Sequence, residues 1–292
     1  MSRLRHGAER AARRLGWDLV RRGPLSPVPE VPPDGDPVWS RRAALPGVRF
    51  DLDEQLVLLE GPLLPHLGEF ASDVRGAGFE LWNGLYQAGD AEVLYALLRH
   101  LRPARVVEIG SGHSTAGAAA ACAANAREGA PCELVAIDPE PRVEVAASTP
   151  GLSRVVRTDC RAAPAELYER LEPGDVLFVD TWHVVKLGAE VNWIVLDLLP
   201  RLAPGVWVHF PDVFLPYEYP RYMFTTAGYL NEQHLLEAFL LGGGWTVELA
   251  MAALFRDRFE RLASVIPSLR EPVPGVPELR TWLPSAIWLR RR

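Results

Sequence analysis

Cysteine, methionine and lysine are all scarce in this 292-residue chain, which holds three cysteines, three methionines and a single lysine, Lys186. The cysteines, Cys122, Cys132 and Cys160, are odd in number and lack metal-ligand spacing, which excludes a disulfide scaffold or a zinc cluster. They read as small apolar residues of a reduced protein. Long apolar runs are missing too: nothing approaches the roughly 20 residues that cross a bilayer, so no transmembrane segment is expected. The N-terminus opens on arginines without the apolar core of a secretion signal, and a cytoplasmic protein is the expectation. Excess positive charge is absent as well. A net charge of -6 leaves little basic surface to neutralise phosphates, which argues against nucleic acid as a partner. With 48% hydrophobic residues and 23% charged, wholesale disorder is excluded and one large packed core is predicted.

Positive charge does gather locally. Residues 1–23 carry seven arginines against Glu9 and Asp18, and Leu4, Ala8, Ala11, Ala12, Leu15 and Leu19 recur at helical spacing. This predicts a short basic helix, either a solvated helix end or a weak contact with an anionic membrane surface. The stretch GPLSPVPEVPPDGDP, residues 23–37, cannot continue a helix and reads as a linker. Residues 1–89 are therefore expected to form an N-terminal extension and residues 90–292 the main domain.

From Asp90 to Leu101 the apolar positions Val93, Leu94, Leu97, Leu98 and Leu101 predict a helix, stopped by Pro103. Strand-like and helix-like segments then alternate. ARVVEIG, CELVAID, SRVVRTD, DVLFVD and VWVHF read as strands, separated by helices over 114–126, about 143–148, PAELYERL and EVNWIVLDLLPRL. WTVELAM and SAIWLRR add two more, as an antiparallel pair at the sheet edge. The prediction is an α/β fold: a doubly wound, mostly parallel, seven-stranded Rossmann-like sheet. Residues 213–230, rich in aromatics and proline, are too long for a simple connector and read as a lid. NEQHLLEAFLL then predicts a helix with Asn231 as its N-cap.

The densest chemical signal is VVEIGSGHST, residues 106–115, lying between a strand and a helix. Gly110 and Gly112 permit a tight turn, and the helix that follows offers free N–H groups to a ligand. VAIDPEP closes the next strand with Asp138, where a carboxylate can accept from a ribose diol. This pattern resembles the class I S-adenosylmethionine-dependent methyltransferases, in the branch with an E-x-G-S-G-x-S-T first motif. The resemblance covers roughly residues 90–245. It implies that Glu108, Gly110, Ser111, Gly112 and His113 surround the methionine part of the cofactor, that Asp138 holds its ribose and that Asp159 faces its adenine. A dinucleotide such as NAD fits less well, because the G-x-G lacks a Gly or Ala three residues on.

A second constellation follows the fourth and fifth strands. Asp180, His183 and Lys186, then His209 and Asp212, fall at the predicted mouth of the sheet. Methyl transfer to oxygen needs a group that takes the hydroxyl proton, and His183 is the first candidate, with Asp180, His209 and Asp212 beside it. The resemblance implies a His-Asp pair after the fifth strand; here Phe210 and Pro211 stand between His209 and Asp212. Lys186 would pair with Asp180 or with an acceptor oxygen. Asp180 and Asp212 could instead offer oxygens to Mg²⁺, the less favoured reading, so no metal ligand is assigned. Asn83, Tyr86, Tyr217, Glu218, Tyr219 and Asn231 are candidates for an acceptor pocket. The expected activity is O-methylation of a glycan or natural-product acceptor with S-adenosylmethionine. The alternative is an enzyme that keeps the fold without moving a methyl group, or a scaffold that merely binds the cofactor. The opening ARRLGWDLVRR resembles the start of bacterial proteins of surface-glycan biosynthesis, which tilts the expectation toward a sugar hydroxyl.

Overall fold

The computed structural model describes residues 12, 14, 15, 30–75, 79–141, 143, 145–146, 148–226, 229–273 and 283–292. The basic helix expected over residues 1–23 lies almost wholly outside the described residues. At the centre is one sheet of eight strands: β1 (Arg49–Phe50), β2 (Arg105–Ile109), β3 (Glu133–Ile137), β4 (Arg154–Val156), β5 (Val176–Val179), β6 (Trp207–Phe210), β7 (Trp245–Ala250) and β8 (Ile287–Arg291). Their spatial order is β1-β7-β8-β6-β5-β2-β3-β4. Every pairing is parallel except those of β8, which runs antiparallel to both β6 and β7. This is the doubly wound α/β sheet that the alternating pattern predicts, with one more strand.

The extra strand is β1, two residues long and paired with Thr246 and Val247 of β7. It escapes a periodicity reading because Asp51 ends it at once: the Asp51 side chain accepts from the N–H groups of Asp53 (2.9 Å) and Glu54 (3.2 Å) and starts helix α1 (Leu52–Glu60). The C-terminal strands pair as expected but not at the edge, since β8 lies between β6 and β7 and β1 covers the outer side of β7. The short helix expected over 143–148 does not form among the described residues of that stretch.

Parallel strands covered on both faces should be apolar throughout, and Val176–Val179 is buried at every position. The covering helices include α2 (Leu64–Glu69), α3 (Asp90–Leu101) and α4 (His113–Arg127). Helix α3 is buried from Asp90 to Arg99, on all sides and not along one stripe, because α2 and α4 both pack on it. It ends at Arg102, whose φ of 47° turns the chain before Pro103. Leu56, Leu59, Leu63 and Phe70 of the N-terminal segment join the same core as the sheet. Residues 213–219 are likewise packed in: Val213, Phe214, Leu215 and Tyr219 are buried, and Tyr217 bridges to Arg42. The three cysteines are free, with Cys122 and Cys160 buried. Among the described residues no helix is long and apolar enough to cross a membrane.

Candidate active site

Because β2, β3, β5 and β6 are parallel and in register, their C-terminal ends open on one edge of the sheet. The chain leaves β2 to one side for β3 and reaches β5 on the other, so the strand order reverses between β2 and β5. A crevice at such a reversal is where open α/β sheets take ligands. The residues that follow these strands, Gly110, Asp138, Asp180 and Asp212, are those the sequence singles out.

The turn after β2 is bound to both neighbours. Gly110 N–H donates to the Ile137 carbonyl (2.9 Å), and Asp180 N–H donates to the Ile109 carbonyl (2.8 Å). Gly110 has a φ of 87°, and a Cβ there would meet the Asp180 carbonyl oxygen at 2.5 Å, so only glycine lets the strand ends approach this closely. Gly112 is different: a Cβ would meet only the Val143 side chain, at 3.9 Å, an ordinary packing contact. Its N–H donates to the Thr115 hydroxyl (2.9 Å), while His113 is the first residue of α4.

Glu108, on β2, is buried. Its Oε1 accepts from the Ser114 hydroxyl (2.6 Å), and its Oε2 is enclosed without a partner. Burial pushes this carboxyl up to about 8, against the pull of the Ser114 and Thr115 hydroxyls. Asp138 accepts three hydrogen bonds: Ser111 N–H (2.9 Å) and Ser111 hydroxyl (3.0 Å) on Oδ2, and Glu140 N–H (2.9 Å) on Oδ1. With two donors already on Oδ2, Oδ1 keeps the spare lone pair. Asp138 thus fixes the glycine turn from the neighbouring strand before it meets any ligand. Asp159 is held by Arg161, its Oδ2 taking Nη2 at 2.6 Å and its Oδ1 taking the backbone N–H and Nε at 2.8 Å. The hydrogen bonds from Arg161 hold its carboxyl below the usual range.

The second constellation does come together, with one member the sequence reading missed. His183 Nε2 lies 3.4 Å from Asp180 Oδ1 and 3.5 Å from Asp212 Oδ2. Its Nδ1 lies 2.8 Å from Oε2 of Glu232, in the first turn of helix α8 (Glu232–Leu241). (Helices α5, Glu166–Glu169, α6, Glu190–Trp193, and α7, Arg221–Thr226, precede it.) Burial of the imidazole favours its neutral form, but the carboxylates of Asp180, Glu232 and Asp212 outweigh that and hold it protonated well above the ordinary histidine range. Burial raises the Asp212 carboxyl, opposed by His183, and the Ser285 hydroxyl donates to its Oδ1 (3.1 Å). His183 and Asp212 both have left-handed backbones, with φ of 56° and 54°. Outside glycine such conformations persist where the surroundings impose them, and they cluster at functional sites.

Other candidates lie apart from this cluster. His209 is fully buried between the rings of Phe178 and Trp288, each 4.3 Å away, and its Nε2 meets the Tyr86 hydroxyl at 3.1 Å. Burial lowers its basicity, and it belongs to the core under the site. Tyr86 is committed to the same contact and to the Asp90 carbonyl (3.1 Å). Asn83 spends its amide on its own turn, Tyr217 donates to Asp257 (2.6 Å), Glu218 faces His234 (3.0 Å), and the Tyr219 hydroxyl accepts from Gln233 N–H (2.9 Å). Asn231 precedes α8 as expected, but its side chain caps no helical N–H; it accepts from Val185 N–H (2.5 Å) instead. Among the described residues no ion pair joins Lys186 to Asp180. A cavity of about 450 Å³ lined by Arg42, Phe50, Asp51, Asp53, Asp257 and Arg258 shares no residue with the site.

Mg²⁺ takes octahedral oxygen coordination but keeps several waters, so one or two protein carboxylates can hold it. The two carboxylates offered for it converge on an imidazole nitrogen, and among the described residues no group of three or more His, Cys, Asp or Glu is arranged to hold a metal.

A family profile described as a methyltransferase domain matches residues 107–213, which contain the glycine turn, Asp138, Asp180, His183 and Asp212. Among solved structures, the apo form of CmcI-N160 is similar at 21% identity over 54% of this chain and 62% of its own, with a TM-score of 0.37. This chain thus spans less than two thirds of that relative. The CmcI-D160 structure described with Mg and SAM is similar at 20% identity over 73% of this chain and 76% of its own, with a TM-score of 0.38. A Thermobifida fusca YX protein provisionally described as a methyltransferase aligns at 16% identity over 90% of this chain and all of its own, with a TM-score of 0.39. Likenesses this loose fix neither ligand nor mechanism. A comparison with curated proteins finds no match.

Proposed function

We propose that this chain, whose residues 107–213 match a methyltransferase-domain profile, is a class I S-adenosylmethionine-dependent methyltransferase that methylates a hydroxyl of a glycan or natural-product acceptor, with His183 receiving the hydroxyl proton. The observation that carries the reading is the His183 imidazole, set in a left-handed backbone between the carboxylates that end β5 and β6, beside the glycine turn.

The residues around that turn suit the cofactor. Glu108 keeps a buried oxygen without a partner, a place for the ammonium of a methionine moiety, and Gly112 leads into α4, whose first N–H groups face the turn. Asp138 Oδ1 has a lone pair to spare for a ribose hydroxyl, while Ser111 is already committed to Oδ2. Asp159 would reach the adenine only alongside its pairing with Arg161. The bound cofactor supplies an electrophilic methyl carbon. The rest falls to side chains: Asp180 and Asp212 hold the acceptor hydroxyl near Nε2, the deprotonated form of His183, populated as pH rises through its raised titration, takes the hydroxyl proton, and the resulting imidazolium is stabilised by the same carboxylates before solvent removes the proton. Asp180, about two-fifths exposed, is the outlet. Residues 213–230 would act as the lid over the acceptor, and residues 1–89 as an N-terminal extension, of which Leu56, Leu59, Leu63 and Phe70 join the core.

The test is incubation with methyl-tritiated S-adenosylmethionine and a panel of neutral glycosides and phenols. Label recovered as a methyl ether is the expected result. Label recovered only on nitrogen, sulfur or carbon acceptors overturns the O-methylation reading.

A further inference from the structure

Glu232 stands 49 residues beyond His183, and nothing in its sequence context distinguishes it from any acid in a helix's first turn. Its side chain is fully buried. One carboxylate oxygen lies 2.8 Å from His183 Nδ1, and the other accepts from the Thr181 hydroxyl at 3.2 Å. Thr181 in turn accepts from the His183 N–H (3.1 Å), and the N–H groups of Asn231 and Glu232 both donate to the His183 carbonyl (3.0 and 3.1 Å). The start of α8 therefore grips His183 by ring and backbone together. A carboxylate at zero exposure is costly unless charge and hydrogen bonds meet it, and a carboxylate oxygen can only accept. The facing Nδ1 must then carry a proton, which leaves Nε2 as the nitrogen that exchanges one.

We propose that Glu232 is a positioning residue, which fixes the His183 tautomer with Nδ1 protonated and so presents Nε2 to the acceptor between Asp180 and Asp212. This rests on the methyl-transfer reading for what Nε2 meets, though the tautomer itself can be read without an acceptor. The groups facing the ring are Asp180 after β5, Asp212 after β6 and Glu232 on α8, with Tyr222 of α7 near Asp212. Of these only Glu232 addresses Nδ1. A Gln at 232 still accepts from Nδ1–H but carries no charge, which separates positioning by an anion from mere packing.

The test is long-range ¹H–¹⁵N NMR of the full chain labelled in histidine, for wild type, Glu232→Gln and Glu232→Asp. In wild type the neutral form of His183 should be the Nδ1–H tautomer; this needs no variant to fold. In Glu232→Gln the titration midpoint should fall by at least one pH unit, a tenfold change in proton affinity, and Glu232→Asp should recover part of it. An Nε2–H tautomer in wild type, or an unchanged midpoint in Glu232→Gln, overturns the proposal. Titration of the same wild-type sample with S-adenosylhomocysteine tests the methyltransferase reading separately: failure to bind counts against that reading and leaves the tautomer result standing.

Discussion

Replacement of Glu108 by glutamine tests how the glycine turn receives a cofactor. The wild-type carboxyl, pushed to about 8 by burial, is roughly nine-tenths protonated at pH 7 before any ligand arrives. Gln is close to isosteric with that neutral acid and can still accept from Ser114, so unfolding stability should change by no more than about 1 kcal/mol. Binding is another matter. If the unpartnered Oε2 meets the ammonium of the methionine moiety, the carboxyl must ionise as the ligand docks and release close to one proton per site at pH 7. A hydrogen bond to a charged group contributes about 1.5–3 kcal/mol, so Glu108→Gln should weaken S-adenosylhomocysteine roughly 10- to 150-fold. Calorimetry in two buffers of different ionisation enthalpy measures both quantities: proton release in wild type, none from this site in the variant. Equal affinity and equal proton release in the two proteins would refute the reasoning.

Asp138→Ala should weaken S-adenosylhomocysteine at least tenfold by calorimetry, because it removes a ribose acceptor and also the two Ser111 bonds that set the turn. The ligand-free protein should lose stability as pH rises: Glu108, near 8, and Asp90, which burial lifts to about 7 against its backbone hydrogen bonds from Ser285 and Ala286, keep protons that the unfolded chain has already released. His183, raised as well, acts in the same direction. The stabilisation is complete below the unfolded carboxyl values and is lost through about pH 7–8, so urea unfolding should be harder near pH 5.5 than near pH 8.5. Methyl transfer should survive EDTA, since the two strand-end carboxylates converge on His183; activity lost to chelator and restored by Mg²⁺ would contradict that.

Local physics made much of the sheet legible. Apolar runs such as 176–179 and 134–137, bounded by turn residues, read as strands buried on both faces, and the break at Pro103 closes α3 where the periodicity ends. The Gly110 turn and Asp138 were readable because strand, turn and acid are consecutive along the chain. What depended on distant partners was not readable. Strand β1 exists because Thr246 and Val247 lie beside it, and β8 is central because it inserts between two earlier strands. His209 and Asp212 look equivalent in the sequence, yet the strand's alternation sends one ring into the core against Trp288 while the left-handed turn brings the other side chain to His183. Glu232 and Ser285 reach the same cluster from 49 and 73 residues beyond His183 and Asp212, and as an ordinary acid and serine they carry no local signal.

Proton removal from the acceptor rests on His183, and the most direct measurement is methyl transfer from tritiated S-adenosylmethionine by His183→Ala across a pH series, with cofactor affinity followed in parallel. Loss of the proton acceptor should cut the rate about 10²- to 10⁴-fold while S-adenosylhomocysteine binds near the wild-type level. The wild-type rate should climb with pH through the titration of an imidazole that three carboxylates hold above the ordinary histidine range, and the variant should lose that limb. Near-full turnover by His183→Ala with the wild-type pH dependence would contradict the account.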